Sequence, residues 1–356
     1  MNASCHRSAT SRAWPELCNA HGVQQNRAAE RLKVLWHQPD PRTIPEELLR
    51  LLSPSIDIES SAKVGKNPAY EVLIGVSPPL DFFTASDELR FFVAAQAGFT
   101  PTARAGVLSR AGISVHNLHH NAAACAESAV ALMLACAKNV VVADADLRAG
   151  RWDTRYSPEP QRVLRGSTAV IVGFGSIGRA VAPVCDALGM HVTGVRRSVV
   201  GDRDVPRKLQ VVGTERLDDV LHGADVMIIT LPSTPETDGM IGAEQLDLLA
   251  EAAIVVNVGR AGQVDEQALY ERLVSGRIGG AGLDVWPIEP TIEQATRVTM
   301  PSKLPFHELP NVVMSPHKAG WLPHDDTSKF QALAEILNCI AAGLDPPNKV
   351  NPVIGY

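Results

Sequence analysis

Apolar residues recur along this chain in short unbroken runs separated by stretches of helical spacing. Runs at 32–37, 72–76, 89–95 and 113–117 form a first series. Runs at 169–172, 191–195, 225–230, 254–258, 280–284 and 312–314 form a second. Unbroken rather than alternating apolar strands are expected where both faces of a sheet are covered, as in a parallel sheet between layers of helices. The intervening spacing predicts helices over 45–52, 127–138, 179–188, 215–222, 265–275 and 327–343. Pro45 fits the first of these, since a helix's first turn needs no N–H from that residue. This alternation predicts the α/β class with two doubly wound parallel sheets. The helix at 127–138 is apolar almost all round, which predicts burial between domains or at a subunit interface.

The chain has 356 residues, enough for two domains of ordinary size. A formal charge of −6 speaks against nucleic-acid or membrane-surface partners, which select for a basic face. The apolar stretch 129–137 falls well short of the roughly 20 residues that span a bilayer. Cys5, Cys18, Cys125, Cys136, Cys185 and Cys339 show neither a CxxC pair nor metal-ligand spacing. They read as reduced thiols, and the expected compartment is the cytoplasm. Residues 1–30 are rich in Ser, Ala and Asn, with Arg7, Arg12 and Arg27 against Glu16 and Glu30. They lack the apolar centre of a secretory signal. An organelle transit peptide, a disordered extension and a start codon set too far upstream all fit them. Setting them aside leaves a predicted dinucleotide-binding domain at 121–320 and a substrate domain at 31–120 plus 321–356.

The most informative motif is Gly173-Phe-Gly-Ser-Ile-Gly178, placed between the strand ending at Val172 and a helical stretch. Gly173 permits the tight turn, Gly175 lets backbone approach a pyrophosphate, and Gly178 lets helix and strand pack closely. The N–H groups at the helix start, including those of Ser176 and Ile177, suit the phosphates. The next strand ends in Arg196-Arg197-Ser198. An NAD site places Asp or Glu there, about 20 residues past the glycines, for the ribose 2′-hydroxyl. Guanidinium groups instead suit a 2′-phosphate, so NADP is the expected cofactor, with NAD as the weaker alternative.

Further motifs follow in order: Leu231-Pro-Ser-Thr-Pro-Glu-Thr237, Asn257-Val-Gly-Arg260, Leu283-Asp-Val-Trp-Pro-Ile-Glu-Pro290 and Ser315-Pro-His317. Their order and spacing resemble the D-isomer-specific 2-hydroxyacid dehydrogenase family from Arg31 onward, most strongly between Ala123 and Gly320. The resemblance implies a Rossmann cofactor domain inserted into a flavodoxin-like substrate domain. It implies that Arg260 binds the substrate carboxylate and polarises the adjacent carbonyl, as a fixed, always-charged fork can. His317 is then the acid/base, with a reference pKa of about 6.5 near working pH. Glu289 orients its ring and favours the charged form. Asp284 holds the nicotinamide carboxamide, and Leu231, Pro232, Thr237 and Val258 line the cofactor. Ala97, Gly98 and Phe99 would meet the substrate. The resemblance also implies a homodimer, with the 127–138 helix packing across its two-fold axis.

Several positions depart from the family pattern. Phe99 and Thr100 stand where a glycine-rich turn followed by Asp is usual, and His119-His120 replace a smaller pair beside Asn117. Ala261 and Lys318 are also unusual neighbours for Arg260 and His317. Formate dehydrogenases of the superfamily carry Gln where Glu289 stands, and regulated phosphoglycerate dehydrogenases add a C-terminal ligand-binding domain. The arginines at 196 and 197 look most like NADPH-using glyoxylate/hydroxypyruvate reductases, so a small 2-oxo acid is the expected partner. The other expectation kept open is a dinucleotide-sensing corepressor of the same fold with little turnover.

Overall fold

The computed structural model describes residues 31–37, 43–63, 68–98, 100–156, 161–197, 209–291, 294–322 and 326–354. The extension at 1–30, Phe99 and Ser198 lie outside the described residues.

Two sheets organise the chain. The first contains β1 (Leu32–His37), β2 (Ile56–Ser60), β3 (Val72–Gly75), β4 (Phe91–Ala94) and β5 (Ser114–His116), paired in parallel in the order β2-β1-β3-β4-β5. This is the flavodoxin-like order. The second contains β6 (Thr168–Val172), β7 (His191–Arg196), β8 (Gln210–Gly213), β9 (Val226–Ile229), β10 (Ala253–Asn257), β11 (Ile278–Leu283) and β12 (Val312–Met314). Its order is β8-β7-β6-β9-β10-β11-β12, all parallel. The order reverses at β6, and a doubly wound sheet opens its crevice at the carboxyl ends there. The chain then returns to the first sheet. Helix Asp326–Ala341 packs Leu333, Ile336 and Leu337 against Trp36, Leu48 and Ile74, and β13 (Lys349–Val350) adds to β5 antiparallel.

The central strands are buried on both faces, every residue of β9 and β10 included. That burial explains their unbroken apolar runs. The structure adds elements that the pattern did not predict: the edge strands β2 and β8 and helices Pro101–Leu108, Val140–Arg148 and Ala243–Leu248.

The apolar helix runs from Ala122 to Lys138 and buries Cys125, Ala126, Ala129, Leu132 and Met133. It lies on the second sheet, where a Cβ at Gly282 would come within 2.7 Å of the Leu132 Cβ. Its burial is therefore satisfied largely within its own chain. Asn139, in left-handed conformation at φ 51°, ends it, and Val140–Arg148 leaves at a 65° bend. On this next segment apolar side chains are exposed, among them Val140, Val141, Leu147, Trp152 and Tyr156. Among the described residues no single helix is long and apolar enough to cross a membrane.

Candidate active site

The glycine turn has the shape that a dinucleotide needs. Gly173 sits at φ 101°, and a Cβ there would lie 2.8 Å from the Leu231 backbone nitrogen. Gly173 thus serves both its own turn and the close approach of the loop after β9. At Gly175 a Cβ would meet nothing within 4 Å, leaving open space in front of the helix Ser176–Ala187. At Gly178 it would lie 2.6 Å from the Gly173 carbonyl oxygen, so helix and turn are in direct backbone contact. Ser176 and Ile177 are half-buried at the helix start. The cradle, the free N–H groups and the open space fit a pyrophosphate.

Arg196 closes β7 and the exposed Arg197 follows it. Arg197 lies near Glu236, whose carboxyl is held below its usual range by the Thr234 hydroxyl, by its own backbone N–H and by Arg197. The loop that carries Glu236 is therefore a neighbour of Arg197. Leu231 and Val258 are buried beside the turn. Thr237 is also buried, and its hydroxyl donates to the Pro232 carbonyl at 2.6 Å and accepts the Thr234 N–H at 2.9 Å. The side chain of Thr237 thus shapes the loop from within.

Arg260 follows β10. One guanidinium nitrogen donates to the Gly259 carbonyl at 2.7 Å. The other lies 3.4 Å from where a Cβ of Gly98 would stand, so Arg260 reaches the substrate-side turn of the first sheet. That turn is held from behind: Asn117 Nδ2 donates to the Ala97 carbonyl at 2.7 Å, and Gln96 Nε2 to the Gly98 carbonyl at 3.2 Å. Thr100 caps helix Pro101–Leu108 by accepting the Ala103 N–H at 3.1 Å, which accounts for a small hydroxyl residue there. The carbonyl of His119 accepts the Ala122 N–H at 3.1 Å, so this segment turns the chain into the long helix. Burial holds the His119 ring below the usual histidine range.

His317 follows β12, and Glu289 lies on the loop after β11. His317 Nδ1 and Glu289 Oε2 are 2.8 Å apart, and both side chains are about two-fifths exposed at 41% and 39%. The carboxylate fixes Nδ1 as the donor and leaves Nε2 for a ligand. The backbone N–H of Trp286 donates to the other Glu289 oxygen at 3.3 Å, and the indole N–H donates to the Ser315 carbonyl at 2.8 Å. His317 is left-handed, with φ 50°. That conformation costs a residue with a side chain about 1 kcal/mol, so its surroundings must impose it. Beside the pair opens a cavity of about 770 Å³, with Trp286, Ile288, Arg297, Met314, Lys318 and Trp321 in its wall. Lys318 thus joins the site as a cation at its margin. Burial pushes the Cys125 thiol up to about 11, with Asp284 adding and Arg260 opposing. The long helix therefore begins close to both residues.

The family model for the NAD binding domain of D-isomer specific 2-hydroxyacid dehydrogenases matches residues 130–319. The chain belongs to this family. A glyoxylate reductase from Aeropyrum pernix is 33% identical to this chain over 331 residues, covering 87% of this chain and 94% of that one. A D-3-phosphoglycerate dehydrogenase from Archaeoglobus fulgidus is 34% identical over 261 residues. That match covers 69% of this chain and 47% of the relative, so the chain spans about half of the latter's length. Among solved structures, a D-isomer specific 2-hydroxyacid dehydrogenase from Xanthobacter autotrophicus Py2, in complex with NADPH and MES, matches with a TM-score of 0.72. It is 25% identical, and the match covers 92% of this chain and all of that one.

Three polar residues around the candidate site are not among those singled out from the sequence: Asn257, Gln263 and Ser315. The first two are buried polar residues flanking Arg260, each three positions away. For Asn257, a polar residue ending an apolar strand was the available signal. The paired geometry of His317 and Glu289 predicts that His317→Ala lowers kcat by about 10² to 10⁴-fold while NADPH still binds. Steady-state kinetics with a fluorescence titration of NADPH would check this, and near-wild-type turnover would contradict it.

Proposed function

We propose that this chain reduces a small 2-oxo acid, of the glyoxylate or hydroxypyruvate kind, to the D-2-hydroxy acid with NADPH. The observation that carries the reading is the His317–Glu289 pair, set at the carboxyl edge of a nucleotide-binding sheet that also supplies Arg260. Arg260 holds the substrate carboxylate with its fork, and its charge draws electron density from the neighbouring carbonyl. Gly98 leaves room for that carboxylate against the guanidinium. Ala97 completes the substrate-side turn. Bound NADPH supplies the hydride. His317 Nε2 gives a proton to the carbonyl oxygen, and Glu289 steadies the ring and its charge through Nδ1. In the reverse direction His317 takes the proton back.

The selection of NADPH rests on Arg196 and Arg197, which stand in the sequence where an NAD site has Asp or Glu for the ribose 2′-hydroxyl. The complex of the Xanthobacter relative with NADPH supports it. We also read the protein as a cytoplasmic homodimer. Its contact would use the exposed apolar residues of Val140–Arg148, with Trp152 and Tyr156, in place of the helix before them.

Two outcomes follow. NADPH oxidation should saturate with glyoxylate or hydroxypyruvate, at a kcat/KM at least about tenfold above that with NADH, and Arg196→Ala with Arg197→Ala should abolish the difference. Equal use of NADH would overturn the cofactor selection. Tight NADPH binding without turnover of these acids, pyruvate or phenylpyruvate would favour a dinucleotide-sensing binding protein. Light scattering should give twice the 38.1 kDa chain mass, falling to one chain in Val141→Asp with Leu147→Asp; a wild-type monomer contradicts the dimer.

A further inference from the structure

The cavity beside His317 and Glu289 is larger than a substrate of glyoxylate size requires. Its volume of about 770 Å³ falls within the range of about 300–1,000 Å³ that suits drug-sized ligands. Two limbs of chain frame it. The first leaves β11 with Trp286, Ile288 and Glu289 and returns through residues 294–301. The Ile288 N–H donates to the Pro301 carbonyl at 3.1 Å and so closes the base of this limb. Arg297 is held on the return, where its N–H donates to the Gln294 carbonyl at 2.8 Å. The second limb follows β12. Here the N–H groups of Lys318 and Ala319 donate to the buried Asp284 carboxylate at 2.9 and 3.0 Å, and the Trp321 N–H donates to the Lys318 carbonyl at 3.0 Å. Arg297 and Lys318 thus reach the wall of one cavity from different strands, with His317 in the same wall.

The charges in this cavity do not balance. Glu289 is the one carboxylate among its described lining residues, and His317 and the Trp286 N–H already engage it. Among the described residues no carboxylate pairs with Arg297 or Lys318. A cleft that presents one sign of charge between apolar walls gathers ions of the other sign, and Trp286, Ile288, Met314 and Trp321 supply such walls. Neither glyoxylate nor hydroxypyruvate carries a group for these two cations, since the single carboxylate of each is assigned to Arg260. We propose that Arg297 and Lys318 form a second anion subsite, which takes the distal carboxylate of a 2-oxo acid with two acidic groups. Arg297 offers a planar fork to that carboxylate and Lys318 a point charge. The proposal rests on the reading of Arg260 and His317 as the site of 2-oxo acid reduction, and it extends the substrate class to dicarboxylic 2-oxo acids.

The test is a substrate series with NADPH and the full-length chain: glyoxylate, then oxaloacetate, 2-oxoglutarate and 2-oxoadipate. Each dicarboxylate is compared with the uncharged acid in which an isopropyl group replaces its distal carboxylate. At least one dicarboxylate should exceed its isopropyl counterpart in kcat/KM by about tenfold or more, as charge-assisted hydrogen bonds allow. Added salt should lower that ratio. In Arg297→Gln and in Lys318→Gln the ratio should fall at least about fivefold, through KM rather than kcat. Lys318 adjoins His317, so the ratio within each variant is the readout, because a general loss of turnover cancels from it. A ratio near one or below it across the series, with glyoxylate turned over, would overturn the proposal alone. A ratio that survives both substitutions would also overturn it and place the distal carboxylate elsewhere. Absence of turnover with every acid, glyoxylate included, would instead defeat the reading beneath it.

Discussion

The site depends on a constraint at the carboxyl ends of β10 and β11, where Asn257, Gln263 and Asp284 are buried and hydrogen bonded. A buried polar group without a partner costs about 1–3 kcal/mol, so each of these residues allows few alternative loop conformations. Together they specify where the backbone turns after each strand. Arg260 and His317 are carried by those turns and are themselves half-exposed or exposed. Chemistry at the surface of the cleft is thus positioned from a dry layer one residue deeper. This division lets the side chains proposed for catalysis meet solvent and ligand without losing their geometry.

The same logic governs the cofactor side. Gly173 brings the turn after β6 against the loop after β9, and Gln263 ties that loop to Arg260. The glycine turn and Arg260 therefore belong to one connected framework. Arg260 also reaches the Gly98 turn of the first sheet, so the two sheets meet at the residue assigned to the carboxylate.

Much of this was legible in the chain. Strands buried on both faces, such as β9 and β10, announce themselves because neither face can be polar. The edge strands β2 and β8 did not: Ile56–Ser60 alternates buried and exposed positions, and Gln210–Gly213 is short with an exposed start. Helix Pro101–Leu108 was hidden because its small residues carry little amphipathic signal, although Thr100 and Pro101 mark its start. The positions of Arg260, Glu289 and His317 were readable from ordered motifs, but their support was not. Nothing in the order of residues says that Asp284 faces backbone donors from 315–319, that Thr237 turns inward, or that the long apolar helix is covered largely by its own sheet. Those facts depend on which strand ends become neighbours.

Whether a 2-oxo acid binds between Arg260 and His317 over a bound dinucleotide is answered by a crystal structure with NADPH and oxamate. The carboxylate of oxamate should lie on the Arg260 guanidinium and its amide oxygen within about 3 Å of His317 Nε2, with Glu289 still on Nδ1. Oxamate bound away from both residues, or a His317 ring turned from Glu289 in that complex, would contradict that placement.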